Sequence, residues 1–463
     1  MLPRSPKLAG AFRATRFGRL AGIGLLIVTA MWVEAGIVLE PAFAEGPAIV
    51  ITPGQERAFR AAVQTFQDED GVSANPERAK KLRAVIENGL SYSGVLQPLP
   101  EEAFLGESAT NELAEKRFDC GDWTQSGADA LVEGRIFRKG QQTAVEYQVW
   151  DTARCTRVGE GVLAEAPKDE TRLGKRVSDG IVEAFTGTPG VASTELAFIS
   201  DRSGAREVWV MDANGDRQRQ ATRGASLKQF PDWMPDGGAI LYTSYPERSG
   251  LPRLYLTSRG EYRPGPLLTR VLPDAPKYRG VFGPQGRYLA LVTSIGGQAE
   301  LFRVDRSGRD LHRLTRSSAI DISPAWSPDG RQIAFVSDRS GAPQIYIMDR
   351  DGGNVRRITY NGGYNTSPAW SPDGRWIAYE TRVEAQFDLW LIDPAGEVNL
   401  PIVSHGRSDE SPAWSPDSRK IAFSSTRRGR PDIYVVDADG KNLKRLTRGQ
   451  GQNLQPAWGP FAR

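Results

Sequence analysis

The chain has 463 residues, which is too long for one ordinary domain and predicts two or three. Charged residues make up 25% and hydrophobic residues 39%, a balance typical of a globular protein that is neither disordered nor largely embedded in a membrane. Beyond residue 44 the basic and acidic residues balance at 54 each, which excludes the net positive charge expected of a nucleic-acid-binding protein.

The first 44 residues have the pattern of a secretory signal peptide. Five basic side chains lie ahead of an apolar run from Leu20 to Val33, and Ala42 and Ala44 are small residues at alternate positions before Glu45. Signal peptidase accepts only small side chains there, so we predict cleavage between Ala44 and Glu45 and export to the periplasm. An uncleaved membrane anchor is the alternative, and it requires lipid to accommodate Glu34.

Residues 45–188 lack any internal repeat and are predicted to form a small α/β domain. Apolar side chains recur at helical spacing in two segments, and alternating apolar residues indicate strands in three others. A stretch rich in glycine, threonine and proline at 186–193 is the predicted linker to the next domain. The predicted helices are Pro76–Leu90 and Asp169–Phe185, and the predicted strands are Ala48–Ile51, Ala128–Ile136 and Thr143–Trp150.

The chain has two cysteines, Cys120 and Cys155, and both lie in this N-terminal domain. In an oxidising compartment such as the periplasm, the pair could form a disulfide. The alternative is that both are buried, reduced thiols. The sequence leaves the two readings open.

The remainder of the chain, residues 189–463, repeats one motif. SPAWSPDG occurs at 323–330 and 367–374, SPAWSPDS at 411–418 and QPAWGP at 455–460, with weaker copies at 230–237 and 279–286. The aromatic residue of each copy is followed by the next after 49, 44, 44, 44 and 44 residues. These aromatic residues are Trp233, Phe282, Trp326, Trp370, Trp414 and Trp458.

Each repeat has the pattern of a four-stranded antiparallel blade. Three alternating or β-branched segments, separated by Gly-containing turns, follow each SPAW segment, which supplies the fourth strand. Four strands per forty-odd residues are typical of a β-propeller. Residues 195–222 lack a SPAW segment of their own, and the last segment, at Trp458, has nothing after it. We therefore predict that the C-terminal strand completes the first blade and closes a ring of six blades.

These motifs together resemble the TolB family of the Tol–Pal system of Gram-negative bacteria. The resemblance rests on the propeller repeat IAFVSDRSGAPQIYIMDRDGGNVRRIT at 333–359 combined with SPAWSPDG. It also rests on three N-terminal segments: DWTQSGADALVEGRI at 122–136, VEYQVWDT at 145–152 and TGTPGVASTELAFIS at 186–200. It covers essentially the whole chain after the predicted signal peptide.

The resemblance implies a monomeric periplasmic scaffold without a cofactor. It implies that the mouth of the propeller binds the lipoprotein Pal and that the mature N-terminus, through Glu45, Ile49 and Ile51, contacts TolA. Association with the outer membrane and peptidoglycan would be indirect. The implied role is the maintenance of outer-membrane integrity and constriction of that membrane during division.

The resemblance places the Pal-binding residues on the connections that lead into the SPAW strands. In this sequence those connections carry aromatic, charged and amide side chains. The implied contact residues are Tyr278, Arg279, Asp321, Ser323, Tyr364, Asn365, Arg407, Asp409, Glu410 and Asn453.

The alternative function is an enzyme-associated propeller, either linked to a peptidase or acting as a lyase. No G-x-S-x-G motif occurs, and the two histidines, His312 and His405, both lie in propeller repeats. Two histidines and two cysteines also do not make a convincing zinc site. The Asp-Gly turns are explained by hairpin geometry, although a calcium ion in the channel, held by Asp321 and Asp409, remains an alternative.

Overall fold

A computed structural model describes most of the two predicted domains. The predicted signal peptide with its cleavage site at Ala44 and Glu45, the predicted strand at 48–51 and the N-terminal residues Ile49 and Ile51 lie outside the described residues. The structure describes residues 58–69, 75–104, 119–245, 250–258, 265–266, 275–295, 297–307, 310–449 and 451–462.

The N-terminal domain is a mixed β-sheet with two long helices packed on one face. The strands lie in the order β3-β1-β4-β5-β6, and the short strand β2 also pairs with β4. The strands are β1 (Phe59–Val63), β2 (Gln67–Asp68), β3 (Leu96–Pro98), β4 (Ala130–Lys139), β5 (Gln142–Asp151) and β6 (Thr156–Glu165). The helices are α1 (Pro76–Ser93), α2 (Cys120–Gln125) and α3 (Glu170–Thr186).

Both predicted helices are present, and α1 extends three residues further than predicted. Asn75 caps its N-terminus by accepting a hydrogen bond from the Glu77 amide at 2.9 Å, and Pro76 occupies the first turn. Gly94 ends the helix at a φ of 74°, a conformation that glycine adopts without a steric penalty. Among the described residues, no helix is both long and apolar enough to span a membrane.

The sequence analysis missed strand β6, because its two glycines are unfavourable in strands. The structure shows why glycine is needed there. A Cβ atom on Gly159 would lie 2.6 Å from the Cβ atom of Ala184 on α3, and one on Gly161 would lie 2.7 Å from the Tyr147 ring. The glycines therefore allow α3 and an aromatic side chain to pack directly on the β6 backbone.

Cys120 and Cys155 form a disulfide, with Cα atoms 5.7 Å apart. The bond joins the start of α2 to the turn between β5 and β6, across 35 residues of sequence. A closed loop of this length stabilises a fold by roughly 3 to 4 kcal/mol, mainly by restricting the unfolded chain.

The second domain consists of six four-stranded antiparallel sheets. Blade 1 contains β7 (Glu195–Ser200), β8 (Glu207–Asp212), β9 (Arg219–Gln220) and the C-terminal β30 (Asn453–Trp458); blade 2 contains β10 (Leu227–Trp233), β11 (Ala239–Tyr245), β12 (Arg253–Ser258) and β13 (Gly265–Pro266). Blade 3 contains β14 (Lys277–Phe282), β15 (Tyr288–Thr293), β16 (Glu300–Asp305) and β17 (His312–Arg313); blade 4 contains β18 (Asp321–Trp326), β19 (Gln332–Ser337), β20 (Gln344–Asp349) and β21 (Arg356–Arg357). Blade 5 contains β22 (Asn365–Trp370), β23 (Ile377–Val383), β24 (Gln386–Ile392) and β25 (Asn399–Val403); blade 6 contains β26 (Asp409–Trp414), β27 (Lys420–Ser425), β28 (Asp432–Asp437) and β29 (Lys444–Arg445).

The predicted closure of the ring by the C-terminal strand is confirmed. Strand β30 pairs with β7 in antiparallel register, with Asn453 opposite Ser200 and Trp458 opposite Leu196. This pairing joins residues more than 250 positions apart, so the first blade cannot form until the rest of the propeller chain has been laid down.

Three of the repeated tryptophans, Trp233, Trp326 and Trp414, link neighbouring blades through their indole N–H groups. The indole Nε1 of Trp326 donates to the Val281 carbonyl oxygen at 3.2 Å, and that of Trp414 donates to the Ala369 carbonyl oxygen at 3.0 Å. Each acceptor lies on the innermost strand of the preceding blade. The ring is thus held by buried aromatic packing and by a polar contact between neighbouring blades.

We predict that Trp458→Ala destabilises the protein strongly. Its side chain is 9% exposed, packs in the core between blades 6 and 1, and donates to the Thr194 hydroxyl at 2.8 Å. Removal of a buried tryptophan costs about 3 to 5 kcal/mol of unfolding free energy, measurable by urea denaturation. The control is Tyr360→Ala, because this side chain is 70% exposed and its loss should cost less than about 0.5 kcal/mol. Equal losses in the two variants would contradict the closure role of Trp458.

Candidate functional site

The two ends of the propeller differ in what they contact. At one end, which we call the mouth, lie the connections between blades and the turns between the second and third strands of each blade. At the other end, the Tyr92 hydroxyl of the N-terminal domain donates to the Ala213 carbonyl oxygen at 2.7 Å. A buried ion pair of 2.6 Å between Lys175 on α3 and Asp212 at the end of β8 lies at the same end. The N-terminal domain therefore docks at the end opposite the mouth.

The innermost strands of all six blades surround a channel of about 720 Å³. Each of these strands has a shift in its pairing register, with one residue at positive φ, between 35° and 58°. In five blades the next residue is a proline, which has no N–H to donate and so tolerates a bulge. The positive-φ residues are Phe230, Arg279, Ser323, Ser367, Ser411 and Gln455.

Four charged side chains, Asp232, Arg279, Glu380 and Glu410, interrupt the otherwise uncharged lining of the channel. Asp232 occupies the position at which four of the other blades have alanine, Arg279 a position at which three have serine, and Glu380 one filled elsewhere by smaller uncharged residues. The Arg279 Nη1 atom donates to the Ser323 hydroxyl at 2.7 Å, and its guanidinium lies 5.3 Å from the centre of the Phe230 ring. The sequence analysis missed Asp232 and Glu380, although their departure from the repeat was visible.

The channel wall alters the pKa of these groups. Burial raises the pKa of Asp232 to about 7 and that of Glu380 to about 7, because ionisation there loses hydration. Backbone amides oppose this shift: Phe282 donates to Asp232 at 3.3 Å, and Ser411 donates to Glu380 at 2.6 Å. Burial also lowers the pKa of Arg279, and the two carboxyl groups oppose that change.

Five of the ten predicted contact residues are buried, which argues against the expectation that their side chains face a partner: Ser323, and the four residues Asp321, Asn365, Asp409 and Asn453, which are considered first. Each of these four begins an innermost strand and is fully enclosed. Their polar atoms bond within the propeller: Arg339 to Asp321 at 3.0 Å, Gln344 to Asn365 at 2.7 Å, Arg427 to Asp409 at 3.0 Å and Arg202 to Asn453 at 2.6 Å. These contacts connect the turns of the mouth to the strands beneath them, so the four residues support the mouth from inside.

The same contacts argue against the calcium alternative. The carboxylates of Asp321 and Asp409 are each paired with an arginine, so they are not directed as free ligands into the channel. Within the described parts of the chain, no group of three His, Cys, Asp or Glu side chains is arranged to hold a metal ion.

The other predicted contact residues lie at different depths. Tyr364 is 36% exposed and packs edge-on against Phe387 at 5.8 Å, and Arg407 is also exposed. Glu410 is half-buried and lines the channel together with Arg279. Ser323 is buried against Arg279, and the hydroxyl of the half-buried Tyr278 lies 3.3 Å from that of Ser294.

The sequence analysis also missed a group of exposed apolar side chains at the mouth. They lie on the connections and turns of blades 3, 4 and 5, and each is at least 36% exposed. Solvated apolar side chains that cluster on one surface mark a site of protein contact more often than scattered ones do. This group, which we call the apolar arc, consists of Ile295, Ile320, Tyr360, Tyr364 and Val383.

We predict that Asp409→Ala lowers the stability of the fold. The substitution leaves Arg427 without its carboxylate partner in a buried site, which typically costs about 3 kcal/mol. Urea denaturation measures the loss. Asp351→Ala is the control, because Asp351 is an exposed turn residue at the opposite end of blade 4. Full stability of the Asp409→Ala protein would contradict the supporting role assigned to the pair.

We predict that the stability of the protein falls as the pH rises from about 4 to about 7. In the unfolded chain, Asp232 and Glu380 ionise near pH 4, whereas burial raises the pKa of both to about 7 in the folded protein. The folded state therefore binds more protons than the unfolded state across this window, and the free energy of unfolding decreases with pH.

The variants Asp232→Asn and Glu380→Gln test this pH dependence, because each removes a titrating group and keeps an oxygen acceptor. Each should raise the stability at pH 8 by on the order of 2 kcal/mol relative to the parent, with a smaller gain at pH 5. Urea denaturation at the two pH values measures the difference. Glu384→Gln, at an exposed position of the mouth, is the control. An unchanged pH profile in both channel variants would show that these carboxyl groups ionise normally.

Both domains match families of known proteins. The TolB amino-terminal domain family matches residues 47–158, and the TolB beta propeller domain family matches residues 272–462. The Tol-Pal system protein TolB of Anaeromyxobacter dehalogenans (strain 2CP-C) is 36% identical over 294 residues, which are 63% of this chain and 65% of that protein. The protein of the same name from Desulfosudis oleivorans is 33% identical over 256 residues, 55% of this chain and 57% of the relative. The aligned regions therefore span less than two thirds of these relatives.

A solved structure supports the same fold over a longer span. The crystal structure of TolB from Acinetobacter baumannii superposes with a TM-score of 0.72 and covers 88% of this chain and 98% of that one, at 24% sequence identity. Because the two TolB domain families match in the order in which the structure places an α/β domain and a six-bladed propeller, the chain belongs to the TolB family.

Proposed function

We propose that the protein is a periplasmic binding component of the Tol–Pal system. In this proposal the mouth of the propeller binds the lipoprotein Pal, and the mature N-terminus binds TolA. The protein would thereby support outer-membrane integrity and the constriction of that membrane during division. The assignment to this system is supported by relatives that carry the name Tol-Pal system protein TolB.

The observation that carries the proposal is that one end of the propeller contacts the N-terminal domain, while the other end presents exposed side chains. The N-terminal domain contacts the end opposite the mouth through Tyr92 and Lys175. The mouth carries the apolar arc, and paired buried side chains support its turns from beneath. A preorganised surface of this kind loses little conformational entropy when a partner docks.

The histidines are used in ways that favour binding over catalysis. His312 Nε2 lies 3.2 Å from the Asp351 carbonyl oxygen, at the end opposite the mouth. His405 Nδ1 lies 3.1 Å from the carboxylate of Asp409, which is itself paired with Arg427. Neither arrangement places a histidine where it would activate a serine nucleophile.

The Pal part of the proposal is tested by Tyr364→Ala. We expect this variant to bind the purified periplasmic domain of Pal about tenfold more weakly, because an aromatic anchor of the apolar arc is lost. The control is Leu311→Ala: Leu311 is equally exposed, at 36%, but lies in a turn at the opposite end of the propeller. Isothermal titration calorimetry measures both. Wild-type protein that fails to bind Pal would contradict the proposal, and equal losses in the two variants would contradict the mouth as the site.

The TolA part is tested by deleting residues 45–52 from the mature chain. Glu45, Ile49 and Ile51 lie in this segment, so we expect TolA binding to be lost while Pal binding stays unchanged. Co-purification with each partner measures the two interactions separately. If TolA bound the shortened protein as well as the full-length one, the N-terminal site would be wrong.

A further inference from the structure

One side of the mouth carries four exposed arginines. Arg407 lies on the connection from blade 5 to blade 6, Arg428 and Arg430 lie on the turn between β27 and β28, and Arg448 lies on the connection from blade 6 to blade 1. All of these segments are at the mouth, because each follows a strand that ends there and precedes a strand that begins there. We call these four residues the arginine arc.

The charge of the arginine arc is not neutralised within the described structure. None of the four guanidinium groups has an ion-pair or hydrogen-bond partner among the residues that the structure describes. Three nearby acidic side chains are already engaged: Asp409 with Arg427, Asp432 with Arg445, and Asp201 with the Gln452 amide at 2.6 Å. A fourth, Glu410, is half-buried and lines the channel. The positive charge on this side of the mouth is therefore directed to solvent.

The repeat shows that the arc is not an inevitable feature of a blade. The Asp-Arg-Ser-Gly turn of blade 4 contains one arginine, Arg339, and it is paired with Asp321. Arg427 is the equivalent residue of blade 6 and is paired in the same way with Asp409. Arg428 and Arg430 are additional to this framework, so the pairing that supports the mouth does not require them.

The arc continues towards the second blade. Arg206 precedes β8 and is half-buried, with one Nη atom 3.4 Å from the Gln452 side-chain oxygen. Arg223 lies exposed on the connection from blade 1 to blade 2. Exposed arginines of the mouth are thus most numerous on blades 6 and 1, whereas the apolar arc spans blades 3 to 5, where Arg316 and Arg382 are also exposed.

We propose that the arginine arc docks a carboxylate-rich flank of the protein partner whose other flank packs on the apolar arc. This inference rests on the proposed function, because it assigns a chemistry to the partner at the same mouth. Guanidinium groups suit the role, since their planar donors bind carboxylates in a bidentate manner. A row of charges at the rim also accelerates association and fixes the orientation of the partner, while apolar contacts supply much of the affinity.

The shape of the mouth favours a protein over an anionic membrane. The rim is chemically divided, with the apolar arc on blades 3 to 5, and beneath it the blades surround a channel of about 720 Å³ whose lining extends to the turns at the opposite end. A lipid surface presents one flat array of headgroups, which would leave the enclosed part of this surface without a partner. A folded domain or extended segment with one acidic and one apolar side matches both arcs.

The test compares two double variants that remove the same charge. Arg428→Gln/Arg430→Gln neutralises the centre of the arginine arc, and Arg331→Gln/Arg350→Gln neutralises two exposed arginines at the opposite end of blade 4. The probe is the purified periplasmic domain of Pal from the same bacterium, and surface plasmon resonance at 50 and 300 mM NaCl gives the rate constants. These concentrations are about twofold below and threefold above the salt concentration at which the screening length is close to 10 Å.

We expect the arc variant to bind Pal about threefold to tenfold more weakly at low salt, mainly through slower association. Its affinity should also depend less on salt than that of the wild-type protein. The opposite-end variant should match the wild-type protein in both respects. Thermal unfolding of each variant checks that these exposed substitutions leave the fold intact.

The outcomes separate the two proposals. If wild-type protein does not bind Pal, the proposed function and this inference both fail. If wild-type protein binds Pal and the arc variant binds equally well with the same salt dependence, the inference fails and the proposed function stands. If the arc variant instead loses affinity only for phosphatidylglycerol vesicles, the arc is a membrane-binding surface, and its assignment to a protein partner is overturned.

Discussion

The antiparallel pairing of β30 with β7 is the constraint on which the rest of the propeller depends. A blade cannot bury both of its faces alone, and a ring with an unpaired edge strand would expose main-chain donors and acceptors. Closure lets each blade pack between two neighbours, and the tryptophan indoles connect their innermost strands. The channel, the mouth and the surface on which the N-terminal domain docks all exist only when this ring is complete.

Within the closed ring, identical positions serve different purposes. The first residue of the innermost strand is buried in five of the six blades, and in blades 4 and 6 it is an aspartate neutralised by an arginine from the turn above. Such paired, enclosed charges hold the loops of the mouth in place but offer nothing to a partner. In the proposed function, recognition depends on side chains that depart from the repeat, such as Tyr364 and Arg428, because these differ between one blade and the next.

The channel lining also contains equivalent positions that differ from one blade to the next. Alanine, serine and proline recur in its lining, and Asp232, Arg279, Glu380 and Glu410 each place a charged group there in one of four blades. Burial raises the pKa of both carboxyl groups to about 7, so their charge state changes within the neutral range. A repeat architecture can therefore acquire a distinct electrostatic site through a few departures from the repeated residue type.

The sequence by itself determined the order of the domains, the number of blades and the closing role of Trp458, because the 44-residue spacing and the incomplete first repeat reflect hydrogen-bonding patterns that the backbone must satisfy. It also indicated both long helices, whose apolar faces follow the helical period. It did not reveal β6, where glycines needed for contact with Tyr147 and Ala184 weaken the strand pattern. Only the tertiary structure decided which polar residues of the mouth are exposed. Asp321 and Asp409 are each buried against an arginine that lies 18 residues further along the chain, in the turn between the second and third strands of the blade. The separation of the rim into an apolar arc and an arginine arc was likewise decided by the ring, which places side chains from different repeats on one surface.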